Sequence, residues 1–116
     1  MTFDEMIPDL FDIIPRFGAR PDVPIEAEEF FTALVARFDS REECRKHLEQ
    51  NAGKWYRSLE EPPDWIQDPD WPWFKGRPMV FVGAIDAPRG TFHDDARFYV
   101  FWSPEVGVTD CIIQVA

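Results

Sequence analysis

The chain is poor in the residues from which metal sites and activated nucleophiles are built. Its 116 residues include two histidines and two cysteines. Cys44 and Cys111 lie far apart, form no Cys-x-x-Cys pair and have no histidine at metal-ligand spacing, whereas a metal site needs several converging ligands. With no export signal, two reduced and buried thiols are expected, a single long-range disulfide being the alternative. The longest apolar runs, "MVFVGAI" and "FYVFW", fall far short of the ~18 residues of a membrane span. The start "MTFDEMIPDL" is acidic from its fourth residue and lacks the basic stretch of a signal peptide. A soluble, cytoplasmic protein is expected. No Gly-rich phosphate loop, no Gly-x-Ser-x-Gly and no Cys-His dyad at a known spacing is present, and no cofactor is implied.

Basic charge is scarce as well. Twelve lysines and arginines stand against 22 acids, a net charge of −10. Residues 1–60 carry 13 acids and 8 bases, and residues 61–116 carry 9 and 4, so each half contributes −5. Without a basic patch to contact phosphates, nucleic acid is a poor partner. Anionic membrane surfaces are disfavoured for the same reason. An acidic face suits a basic protein, met at a rate that salt slows. The competing reading is solubility alone.

What the chain has is apolar and aromatic mass, 45% and 16% of residues, too much for a disordered segment. The length fits one domain. Residues 1–60 read as helical. In "IEAEEFFTALVARF", Phe30, Phe31, Leu34, Val35 and Phe38 form one stripe at helical period, with Glu26, Glu28 and Glu29 in the first turn and Arg37 in the last. The helix is expected to end near Asp39, because "SREE" is a capping box on Ser40 and Glu43. Behind it Cys44, Leu48, Ala52, Trp55 and Leu59 make a second stripe, with Gly53 a weak point and Pro62-Pro63 the stop. Phe3, Met6, Leu10 and Ile14 make a third, starting or kinking near Pro8. Residues 61–78 form a Pro/Trp-rich connector. Residues 79–116 read as three strands, "PMVFVGAIDA", "ARFYVFW" and "DCIIQV", the last two joined by a hairpin at "SPEVG" with Gly107 at positive φ. The expected class is α+β: N-terminal helices packed on a small antiparallel three-stranded meander.

The connector "PPDWIQDPDWPWFKGRP" concentrates tryptophan, proline and aspartate. Five tryptophans, Trp55, Trp65, Trp71, Trp73 and Trp102, can close a thin core, and most are expected to do so. Trp71 and Trp73 flank Pro72, which limits the loop's freedom, and they are the candidates for a partner-docking core. Asp64, Asp68 and Asp70 are its carboxylates. As acid-base groups these three lack any visible cause for a shifted pKa. "FHDDARF" brings His93, Asp94 and Asp95 together, with Asp86 on the preceding strand. One further histidine, His47, on a helix, is too little for a metal, so a solvated polar turn is expected.

Pro63, Asp64, Trp65, Ile66 and Gln67, then Trp71 and Pro72 ahead of Gly76 and Pro78, then Ile85-Asp86 and a late Gln114, together resemble the YwqG-like bacterial proteins. The resemblance spans residues 62–115. Ala84 stands where that family carries a glutamine before Ile-Asp, so whatever that amide does there is not done here. The family is a domain of unknown function, and the resemblance supports a fold without implying an activity.

The expected function is that of a non-enzymatic acidic binding protein, with neither catalytic nor metal-ligating residues. Its form would be an immunity or antitoxin type that neutralises a basic protein partner, a toxin or effector. The alternative is a small enzyme or ligand-binding domain using the Trp/Asp-rich stretch as a pocket wall.

Overall fold

The computed structural model describes residues 1–88 and 95–116, so His93 and Asp94 lie outside the described residues. A 3₁₀ turn at Asp4–Met6 leads into α1 (Ile7–Ile13) and a second 3₁₀ turn at Ile14–Phe17. α2 spans Ile25–Val35 and α3 spans Arg41–Trp55. A two-residue ribbon pairs β1 (Trp73–Phe74) with β2 (Arg77–Pro78). A three-stranded antiparallel sheet follows, β3 (Val80–Asp86), β4 (Ala96–Ser103) and β5 (Val108–Val115), in sequence order. This is the expected α+β mixture, helices first and a three-stranded meander last.

α1 and α3 start for reasons visible in their residues. Pro8 occupies the first turn of α1, where a backbone N–H has no intrahelical partner anyway. Ser40 caps α3 by accepting a 3.3 Å bond from the Glu43 N–H. The ends are set by tertiary contacts. α2 stops at Val35, so Arg37 and Phe38 lie past it rather than in its last turn. α3 runs unbroken through Gly53 because that glycine lets the Phe17 ring approach: a Cβ there would sit 3.0 Å from a ring carbon. It stops at Trp55, seven residues before Pro62. Past it, Arg57 and Leu59 leave the helix to pair with β3, where the Phe81 N–H donates to Arg57 O and the Leu59 N–H to Phe81 O. Leu59 therefore falls off the buried stripe and is 48% exposed.

The antiparallel register sorts the sheet residues into two faces. Phe81, Tyr99, Phe101 and the buried Gln114 share the core face, and the three rings belong to one buried cluster with Met6, Leu10, Phe31, Leu48 and Tyr56. Ile85, Phe98, Val100, Trp102, Cys111 and Ile113 share the opposite face. Val82 is the extra residue of a bulge between Phe81 and Gly83. The molecule measures 54 × 29 × 23 Å, with a radius of gyration of 15.4 Å. A compact chain of this length would have about 13 Å. No described helix is long and apolar enough to cross a membrane.

Candidate functional site

The Trp/Asp-rich stretch is a strap laid along the core face of the sheet. Its backbone is clamped at four residues, Asp64, Ile66, Gln67 and Asp68. Tyr99 Oη donates to Asp64 O and accepts from the Ile66 N–H, both at 2.8 Å. Gln114 Oε1 accepts from the Gln67 N–H at 2.9 Å, and Gln114 Nε2 donates to Asp68 O at 2.8 Å. The Gln67 side chain returns a bond to Val115 O. Gln67 and Gln114 thus hold strap to sheet, which satisfies an amide that would otherwise be buried unpaired.

This geometry corrects the expectation that Trp71 and Trp73 form a docking core. Trp71 is 1% exposed, its Nε1 donating to Met79 O at 2.8 Å and its ring against Tyr56, Phe81 and Phe101. Trp73 is 8% exposed and packs on Phe30 and Tyr56. A five-proline loop can turn its large rings inward when the strands beneath offer aromatic partners, and burying them outweighs displaying them. Trp65, half-buried, lies over Tyr99 and Phe101, and its Nε1 donates to Gly18 O at 2.6 Å. The stretch is a lid.

The carboxylates of the strap point the other way. Glu60, Glu61, Asp64, Asp68 and Asp70 are all exposed. Asp64 alone among them is ion-paired among the described residues, at 3.5 Å from Arg97. No two of Asp64, Asp68 and Asp70 share a hydrogen bond that could hold one proton between them. Asp86 is held by Arg97 Nε at 2.6 Å, and Asp95 is exposed. Among the described residues no group of three or more His, Cys, Asp or Glu lies where it could hold a metal ion.

Cys44 and Cys111 are both free, but only Cys44 is buried; the expectation of two buried thiols is corrected at Cys111. The reason is the sheet: Cys111 faces outward from β5, opposite Val100. Burial pushes the Cys44 thiol above its ordinary pKa, the opposite of what a nucleophile needs.

The sequence reading missed two features. One is the outward face of the sheet, where Ile85 is 65% and Ile113 53% exposed beside the half-buried Val100 and Trp102. None of these four belongs to the core cluster or packs against it among the described residues. Apolar residues on both faces of "ARFYVFW" were the available signal, since a strand with one wet face normally alternates. The other is a cleft beside Trp55, walled by bases where the pocket reading had carboxylates. The comparisons with known proteins gave nothing to set beside these features: no family model, no curated protein and no solved structure matches the chain.

Proposed function

We propose that the protein is a non-enzymatic binding protein that captures a basic protein partner on the outward face of its sheet, in the manner of an immunity or antitoxin protein holding a toxin or effector. One observation carries the reading: an apolar sheet face, Ile85, Val100, Trp102 and Ile113, on a chain of net charge −10, whose nearby Asp86 and Asp110 the register turns to the opposite face. The one described base on strands β3 to β5 is Arg97, and it is already engaged by Asp86 and Asp64. Asp95 and Asp110 have no ion pair among the described residues, and a basic partner would supply one. The exposed carboxylates of the strap extend the same field and would speed encounter at low salt. Trp102 takes the anchoring role that the sequence suggested for Trp71 and Trp73, because it is an aromatic side chain outside the core. The likeness of residues 62–115 to YwqG-like proteins enters only as a proposed kinship and supplies no activity.

The test uses the full chain as bait in extract of its own cell, beside the double variant Ile85→Lys, Ile113→Lys. Both positions are exposed, so the variant should melt like the parent. The expected result is a basic protein retained by the parent, released by about 0.5 M salt and absent from the variant's eluate. Equal capture by both baits removes the sheet face from the reading. A concentration-dependent dimer of the parent, abolished in the variant, would give the face to a second copy instead.

A further inference from the structure

A cleft of about 410 Å³ opens where the end of α3, the β1–β2 ribbon and the β4–β5 turn meet. Its aromatic wall is Phe30 and Trp55, both half-buried, with ring centroids 5.4 Å apart in an edge-to-face arrangement. Around them stand Lys54, Arg57 and Arg77, three of the twelve bases in a chain of net charge −10. Glu105 is the one carboxylate in the lining, and it is spent on Arg77 at 2.8 Å. Lys54 and Arg57 have no ion pair among the described residues, although the chain has almost two acids for every base.

Arg37, Lys46 and Lys75 also lack an ion pair among the described residues, so what sets Lys54 and Arg57 apart is their convergence with Arg77 on one cleft. Six of the described arginines are in carboxylate pairs, which is what an excess of acids should produce. Lys54 has a local reason for its place, since a cation in the last turn of α3 complements the helix dipole. Arg57 has no such reason. It is fixed beyond the helix by the Phe81 N–H bonding to its carbonyl, which holds its side chain at the cleft wall. Three cations brought together from α3's exit, β2 and their neighbours repel one another, and an anion between them would relieve that repulsion.

We infer that this cleft binds a small anion carried on a flat ring, an aryl phosphate or an aryl carboxylate. The volume falls within the range of small-molecule sites, roughly 300–1,000 Å³. The ring would lie against Trp55 and Phe30, and the charged group would take hydrogen bonds from Arg57 and Lys54. Arg77 would be the third donor, in competition with Glu105. That competition makes Glu105 a brake on affinity, a property no packing role would give it. This inference does not rest on the partner-docking reading, because its cations and rings, Lys54, Arg57, Arg77, Phe30 and Trp55, lie off the outward sheet face and its ligand has the opposite charge.

The experiment titrates the intact protein with phenyl phosphate and with benzoate, following heat and the indole N–H resonance of Trp55. Inorganic phosphate supplies the charge without the ring, and benzyl alcohol the ring without the charge. A Kd of about 1 mM or tighter is expected for whichever aryl anion fits, with the two controls at least about tenfold weaker. Arg57→Gln and Lys54→Gln should each weaken binding about fivefold or more. Glu105→Gln should tighten it about twofold or more by freeing Arg77. These side chains are on the surface, so melting curves should match the parent and report on folding separately. Absence of binding at 10 mM of either aryl anion, inorganic phosphate binding as well as phenyl phosphate, or affinity indifferent to Arg57→Gln and Glu105→Gln would each overturn the assignment.

Discussion

Replacing Trp71 with alanine should unfold much of what holds the strap to the sheet. The indole is all but fully buried, touches the rings of Tyr56, Phe81 and Phe101, and donates to the carbonyl of the buried Met79. Truncating a buried tryptophan costs about 3–5 kcal/mol. Of that, about 1 kcal/mol is the hydrogen bond whose acceptor is left without its partner. A domain with a total stability of about 5–15 kcal/mol would lose about a fifth of it or more. For this length that corresponds to a fall in Tm of about 10–20 °C. Trp71→Phe keeps an aromatic ring and loses the donor and some volume, so about 1–3 kcal/mol is expected. Urea titrations followed by circular dichroism measure both variants, and equal slopes in denaturant would confirm that the unfolded states compare. An alanine variant that loses less than about 1 kcal/mol would place the indole outside the core and refute the lid. Any loss of partner binding in these variants should track the lost folded fraction, since the ring has no surface to offer.

Three further outcomes follow from other parts of the molecule. Asp9 is buried and bonded by Arg41 Nε and Arg45 Nη1 at 2.8 Å each; burial alone would raise its carboxyl, but the hydrogen bonds and charges of Arg45 and Arg41 outweigh it and hold the pKa below the usual range. Asp9→Asn should therefore cost about 1–3 kcal/mol near neutral pH, less than for a fully buried pair because both arginines reach solvent. A depressed carboxylate stabilises above its unfolded pKa of about 3.9 and stops doing so as pH falls through the lower folded value, so parent and variant should converge in acid. A gap that stays constant down to pH 2 would exclude Asp9 as the titrating group. Gly53→Ala should not yield the usual gain of about 1 kcal/mol for alanine in a helix, because its Cβ meets the Phe17 ring at 3.0 Å. A full gain in chemical denaturation would mean that the ring yields freely. In native protein a thiol reagent should modify Cys111 and spare Cys44 until urea unfolds the chain; mass spectrometry of the first adduct decides.

The sequence by itself determined the kinds of element and their order. Period-3.6 stripes, Pro8 in a first turn and Ser40 with Glu43 act within one or two helical turns, so the helices of the first half are legible locally. Gly107 at φ 72° with Pro104 before it defines the last hairpin in the same way. The ribbon at Lys75-Gly76 was legible in principle, since both residues have positive φ and a Gly marks such turns, but the surrounding prolines masked it. Tertiary structure decided where α3 stops, because Tyr56 and the Arg57–Leu59 backbone find partners in the core and in β3, far along the chain. It also decided which way the tryptophans point. A strap residue can face in or out with equal local comfort, and only the aromatic floor of Tyr99, Phe101 and Phe81 makes inward the lower free energy for Trp65 and Trp71. The same choice leaves Trp102 and Ile113 outside and gathers Lys54, Arg57 and Arg77 around one cleft. No spacing rule connects residues 54, 57 and 77; the pairing of Ser58 with Phe81 and the turn at Lys75-Gly76 bring them together.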